Sequence, residues 1–144
     1  MPLPPSADSY VLLVEDNRDD EALTLLALRE SQAPPPVHVA RDGAEAIAWL
    51  ERRDVAPARV VLLDLKLPRL DGFAVLAEIR RHPRWQSVPV VVMSSSSQQE
   101  DVLRSYHAGA NSYVRKPVRH EDFQATVSHV SHYWLKVNEQ AAAG

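Results

Sequence analysis

Asp64 stands inside Val60-Val61-Leu62-Leu63-Asp64-Leu65-Lys66-Leu67-Pro68, an apolar run closed by a proline. Its length and composition read as a strand buried on both faces of a parallel sheet. A carboxylate in such a run pays a heavy desolvation cost unless it lies at the strand's carboxyl end, where open α/β sheets bind their ligands. Other chemically capable residues share that placement. Glu15-Asp16-Asn17 follow the run Tyr10–Val14, Ser94 follows Val88–Met93, and Lys116 follows Ser112–Arg115. Three carboxylates in one pocket repel one another and raise each other's pKa, which a hard divalent cation relieves. Mg²⁺, with Mn²⁺ able to substitute, wants oxygen ligands and fits Glu15, Asp16 and Asp64. Asp64 beside such an ion can attack phosphorus and form an acyl phosphate. A lysine would offset the phosphoryl charge, and a hydroxyl would hydrogen-bond to it.

Each signal alone has a plainer explanation. A Glu-Asp pair after a strand is usually a helix start, Ser94 to Ser97 a polar loop, and Lys116-Pro117 an ordinary strand end. Asp64 resists such treatment because its flanks are so apolar. The ordered recurrence at successive strand ends outweighs the separate readings.

The surrounding pattern supplies the elements that must position these groups. Tyr10–Val14, Val37–Ala40, Arg59–Leu65, Val88–Met93 and Ser112–Arg115 are strand candidates. Asn17 can cap a first helix that Asp19, Asp20 and Glu21 favour at its positive end, with Ala22, Leu25, Leu26 and Arg29 at helical spacing. Pro34 to Pro36 forbid its continuation. Asp42-Gly43 opens a helix carrying Ile47 and Leu50, and Asp71-Gly72 one carrying Phe73, Leu76 and Ile79, which His82-Pro83 ends. Gln98 to His107 form a fourth, with Val102, Leu103 and Tyr106, and Gly109 where a helix stop is expected. Phe123, Val127, Val130, Trp134 and Val137 repeat as a heptad-like seam on a long terminal helix. Five strands alternating with five helices give an α/β, doubly wound, five-stranded parallel sheet of flavodoxin-like form. Residues 10–138 read as one domain, residues 1–9 as a disordered tail and 139–144 as a second tail.

Composition narrows the function. Hydrophobic residues make up 45% of the 144, which suits a folded domain rather than disorder. A net charge of −3 gives no general pull on nucleic acid. The chain has no cysteine, which excludes disulfides and thiolate metal sites and suits the cytoplasm. No run approaches the length of a membrane span. Four glycines leave no glycine-rich nucleotide loop, so a kinase is not indicated. His129 and His132, one turn apart, have no third metal ligand nearby and read as exposed.

Val14-Glu15-Asp16-Asn17, Leu63-Asp64-Leu65-Lys66-Leu67-Pro68 with Asp71-Gly72, Met93-Ser94-Ser95 and Gly109 to Pro117 together resemble the receiver domain of two-component response regulators. The resemblance covers about residues 10 to 137. It implies that Asp64 is phosphorylated, that Asp16 ligates Mg²⁺ directly and Glu15 through water, and that the Lys66 backbone carbonyl is a further ligand. It makes Ser94 the switch hydroxyl, Lys116 the phosphate-binding lysine, Tyr113 the switch aromatic, and Lys116-Pro117 a candidate cis bond. Ser94 stands where threonine is more frequent, and Lys66 occupies a variable place beside the acceptor.

Ser105-Tyr106, Ala110 to Tyr113, the Pro34 to Pro36 connection and Tyr133-Trp134-Leu135 narrow the resemblance to single-domain regulators paired with bacterial phytochromes. That implies a sensor histidine kinase partner, a bacteriophytochrome among the candidates, and a homodimer through the fourth helix, last strand and fifth helix. Candidate interface residues are Tyr106, Phe123, Val127, Val130, Trp134 and Val137. Core packing is preferred for Phe123, Val127 and Val130, and an interface for Trp134 and Val137. The expected role is signalling rather than enzymatic turnover, with no direct nucleic-acid or membrane binding and no output domain. A phosphate sink or intermediate relay is the near alternative. A small aspartyl-phosphate phosphohydrolase is the alternative from another class, although its usual second acid is replaced here by Lys66. A pure adaptor would lack the acceptor or the lysine.

Overall fold

The computed structural model describes residues 10–140; the expected tail at residues 1–9 lies outside them. The elements run β1 (Val11–Val14), α1 (Arg18–Arg29), β2 (Val37–Ala40), α2 (Gly43–Glu51), β3 (Val60–Leu63), α3 (Gly72–Arg81), β4 (Val90–Ser94), α4 (Gln99–His107), β5 (Ser112–Arg115) and α5 (His120–His132), then a π-helical turn (Tyr133–Val137). All strand pairs are parallel, in the order β2-β1-β3-β4-β5. The expected doubly wound sheet is present. Strands β2 and β5 keep the expected bounds, while β1, β3 and β4 are shorter than their apolar runs, so Asp64 falls just beyond β3; Ser94 is the last residue of β4.

Side-chain alternation along the strands builds two cores. Leu12, Val14, Val61, Leu63, Val90 and Val92 join Trp49, Leu50, Val75, Leu76, Ile79 and Trp85 on one face. Val11, Leu13, Val60, Leu62, Val91 and Met93 join Ala27, Leu28, Phe123 and Val127 on the other. Continuous apolar strands follow from this burial on both faces. Asn17, Asp42 and Asp71 cap α1, α2 and α3, each accepting from the backbone N–H three residues on.

Several helix faces differ from expectation. In α1 the buried residues are Thr24, Ala27 and Leu28, while Leu26 is exposed. The leucine-rich stretch Leu23 to Leu28 supports more than one helical phase, and packing against α5 selects this one. Helix α4 buries only Ser105 and leaves Leu103 and Tyr106 exposed. The terminal seam does not run through. Phe123 and Val127 are buried in the chain's own core, and Val130, Trp134 and Leu135 pack partly against it. The π-helical turn, closed by Asn138 N–H on Tyr133 O at 2.7 Å, changes the residue spacing and leaves Tyr133 and Val137 exposed. The Arg59 guanidinium ties this turn down through Trp134 O (3.4 Å) and Asn138 O (3.1 Å). Thus Phe123 and Val127 cannot serve an interface, and Trp134 is committed in part to the fold.

At the opposite side of the sheet Arg80 joins three segments. It donates to Gly109 O (2.9 and 2.7 Å), Gln86 O (3.0 Å), Val88 O (2.8 Å) and Asn111 Oδ1 (2.7 Å). Gly109 follows the α4 C-cap with φ 107°, the left-handed conformation that glycine tolerates.

Gly72 matters most directly for Asp64. Its N–H donates to Leu65 O at 2.8 Å, and a Cβ there would meet the Asp64 carbonyl oxygen and lie 2.6 Å from Leu65 Cα. Both obstacles are backbone, which cannot rotate aside. Gly72→Ala is therefore expected to destabilise the fold by at least about 2 kcal/mol. Urea unfolding of the two proteins checks this, and a change below about 0.5 kcal/mol would contradict so tight an approach.

Candidate functional site

The order of the strands places the site. The chain leaves β1 toward β2 on one side and reaches β3 on the other, so a crevice opens beyond the carboxyl ends of β1 and β3. Val14 pairs with Leu63, making Glu15 and Asp64 lateral neighbours at this edge. Asp64 N–H donates to Val14 O and Glu15 N–H to Ala40 O, both at 3.0 Å, which extends the ladder one residue into the site. Ser94 pairs with Arg115, and Lys116 N–H donates to Ser94 O at 2.8 Å. Glu15, Asp64 and Ser94 are buried, with exposures of 3%, 8% and 1%, whereas Asp16 is exposed.

Lys116 draws these ends together. Its Nζ donates to Glu15 Oε1 at 2.7 Å, Asp20 Oδ2 at 2.8 Å and Asp64 Oδ2 at 3.3 Å. Burial pushes the Glu15 carboxyl up to about 7 against the pull of Lys116, with Asp64 adding a smaller upward push. Mutual repulsion is therefore present, but burial is the main cause. Desolvation works against the Lys116 charge, yet the Asp20 hydrogen bond and the charges of Asp64 and Glu15 outweigh it and hold the ammonium above its ordinary value.

One carboxylate oxygen each from Glu15, Asp16 and Asp64 can lie within 4.8 Å of one another. This all-oxygen donor set suits a hard cation such as Mg²⁺ or Mn²⁺, which would neutralise the surplus of acids and polarise a phosphoryl oxygen. Lys66 is exposed, and its N–H approaches Asp64 Oδ1 at 3.4 Å.

Ser94, Ser96 and Tyr113 form a connected set. Ser94 Oγ accepts from Ser96 N–H at 3.1 Å, Ser96 Oγ donates to Asp101 Oδ2 at 2.6 Å, and Tyr113 Oη donates to Ser96 O at 2.8 Å. Tyr113 N–H donates to Tyr106 Oη at 3.1 Å. Tyr113 already lies against the core. The Lys116-Pro117 bond is trans, since no cis peptide occurs among the described residues. Trans is the intrinsically favoured state even before proline, and in it Lys116 still reaches all three carboxylates. His129 and His132 are exposed as expected.

Two participants escaped the sequence reading. Asp20 reads only as part of the helix start, in the first turn of α1, and nothing in its local spacing announces the bond to Lys116. Ser96 reads as loop polarity within Ser94 to Ser97. No sequence signal distinguishes it from the adjoining serines.

A family model described as the response regulator receiver domain matches residues 11–128. The chain is 37% identical to the probable methanogenesis regulatory protein FilR2 of Methanothrix harundinacea, over 89% of this chain and 84% of that protein. It is 35% identical to the response regulator Rcp1 of Synechocystis sp., covering 92% of this chain and 93% of Rcp1. The solved Mn²⁺-bound form of Rcp1 aligns with a TM-score of 0.86 at 34% identity, over 93% of this chain and 99% of that one. The phosphorylated cyanobacterial phytochrome response regulator RcpA aligns with a TM-score of 0.88 at 36% identity, over the same shares of 93% and 99%.

The Glu15 value generates a pH dependence. Its folded value of about 7 exceeds the 4.5 of a free carboxyl, so between those limits the folded protein keeps a proton that the unfolded chain has lost. The stabilisation is complete below the lower limit and is lost as pH rises through the upper one. Across that window the unfolding free energy of the wild type should fall by on the order of 2 kcal/mol more than that of Glu15→Gln. Saturating Mg²⁺ should shrink the difference by keeping the carboxylate ionised. Urea titrations along a pH series measure both effects, and equal slopes without the ion would mean Glu15 is ionised throughout.

Proposed function

The chain belongs to the response regulator receiver family, and on that premise we propose that Asp64 takes a phosphoryl group from the phosphohistidine of a sensor histidine kinase. The observation that carries this reading is the convergence of Glu15 and Asp64, from the ends of β1 and β3, on the Lys116 ammonium from the end of β5. An Asp64 carboxylate oxygen attacks phosphorus as the bond to the kinase histidine nitrogen breaks. Lys116 faces the developing phosphoryl charge; Glu15, Asp16, Asp64 and the Lys66 carbonyl are the groups that would hold a hard cation, which would neutralise more of it. The Ser94 hydroxyl then bonds the phosphoryl group. That draws on the bond it accepts from Ser96, whose carbonyl holds Tyr113, so the change reaches the start of α4 and β5.

The protein is a response regulator similar to Rcp1 and to the phytochrome response regulator RcpA. A histidine kinase partner follows from the family; the specific partner we propose is of the phytochrome type, by that likeness. The proposed setting is the cytoplasm, and no helix among the described residues is long and apolar enough to cross a membrane. We assign the output to protein contacts rather than nucleic acid, with a second copy as one partner. The exposed Leu103 and Tyr106 on α4, with Tyr133 and Val137 beyond α5, support that face. A regulator is favoured over a phosphohydrolase because Lys66, two residues after Asp64, supplies no second acid.

Incubation with acetyl phosphate and Mg²⁺ should add one phosphoryl group to the intact mass of the wild type and none to Asp64→Asn. Rapid turnover of small phosphate esters would instead favour a hydrolase, and absence of labelling an adaptor.

Lys66 sits exposed beside the acceptor, where its ammonium can screen the phosphoryl group from attacking water. Lys66→Asn should lose phosphate faster, by roughly 2- to 10-fold as expected for one charged neighbour. Equal decay of the two labelled proteins in mass spectra would exclude that role.

A further inference from the structure

Lys116 is held by three carboxylates, but they do not stand equally toward the rest of the site. Glu15 and Asp64 also belong to the group able to hold a cation, and Asp20 does not. The Lys116 side chain is only 8% exposed, against 4% for Glu15, 10% for Asp64 and 26% for Asp20. Asp20 therefore reaches the ammonium from the rim, while the others meet it from the floor. A cation entering the pocket competes for the oxygens of Glu15 and Asp64. Without Asp20, that would leave a buried ammonium facing a dication with no counter-charge of its own.

The backbone fixes Asp20 for this task. Its N–H donates to the Asn17 cap at 2.9 Å, which sets it in the first turn of α1, where a carboxylate is favoured by the helix dipole.

We propose that Asp20 is a positioning residue for Lys116: it is the permanent counter-ion that retains the ammonium at the pocket while Glu15 and Asp64 turn to a cation or to the phosphoryl group. The inference rests on the phosphoryl-acceptor reading of Asp64 and deepens it. Asp20 acts through the lysine and not on the cation. Its removal makes Lys116 fall back on Glu15 and Asp64 and compete with the metal for them.

A double-mutant cycle tests this with Mg²⁺ alone, titrated calorimetrically into the unphosphorylated full chain. The four proteins are wild type, Asp20→Asn, Lys116→Met and the double variant. Asp20→Asn is expected to weaken Mg²⁺ binding roughly fivefold, and to change it less than about twofold once Lys116 is methionine. Circular dichroism checks folding, and Asp20→Ser takes the place of Asp20→Asn if the latter does not fold. An equal loss in both backgrounds would show Asp20 acting on the cation directly and overturn the proposal. No effect in either background would overturn it as well. Mass spectrometry after acetyl phosphate treatment reads the acceptor role of Asp64 separately, so an unlabelled wild type counts against the function and an absent coupling against the tether.

Discussion

A single buried ammonium among three carboxylates governs the arrangement of this molecule. Lys116 cannot neutralise Glu15, Asp20 and Asp64 together, and the pocket is left short of positive charge. Burial strengthens every one of these interactions and also penalises whichever acid stays ionised. Burial, with a smaller push from Asp64 and against the pull of Lys116, raises the Glu15 carboxyl to about 7, above the ordinary carboxylate range. A dication fits that shortage in sign, in hardness and in the oxygen donors available to it. The chemistry of the site thus follows from a charge imbalance that the fold imposes.

The fold imposes it through parallel pairing. Strands of one direction, buried on both faces, present all their carboxyl ends at one edge. Val14 and Leu63 are paired, so the next residue of each strand must be a neighbour of the other. The β4–β5 register then brings Ser94 beside the residue preceding Lys116. A register slip in any of these pairs would carry an acid or the lysine into an apolar layer. Gly72 adds a local restriction, because α3 begins directly against the backbone of Asp64 and Leu65.

Much of this was legible in the sequence, for identifiable reasons. Apolar runs reported β1, β3 and β4 because burial on both faces leaves almost no polar position within them, and the residue following or ending each run reported the site. Asn17, Asp42 and Asp71 reported the helix starts through their capping chemistry. What failed was phase and partnership. Leu23 to Leu28 offered too many apolar positions to say which faced inward. The heptad spacing of Phe123 to Val137 assumed uniform α-helix, which the π-helical turn interrupts. Asp20 was hidden because its helix-start role is sufficient without its long-range bond to Lys116, a contact separated by 96 residues.

The Arg80 cluster gives α4 two unlike ends. Its carboxyl end runs into Gly109, whose carbonyl takes two bonds from a guanidinium also fastened to Gln86, Val88 and Asn111. At its amino end, Gln98 makes no side-chain cap bond, and along its length only Ser105 is buried. Mechanically, α4 is a cantilever clamped at the end away from Asp64. Its amino end is tied to Ser96, whose Oγ donates to Asp101 Oδ2 at 2.6 Å and accepts from Gln98 N–H at 3.2 Å. A displacement begun beside Ser94 therefore enters α4 there and dies away toward the clamp, tilting Leu103 further than Tyr106 where a sliding helix would move both alike.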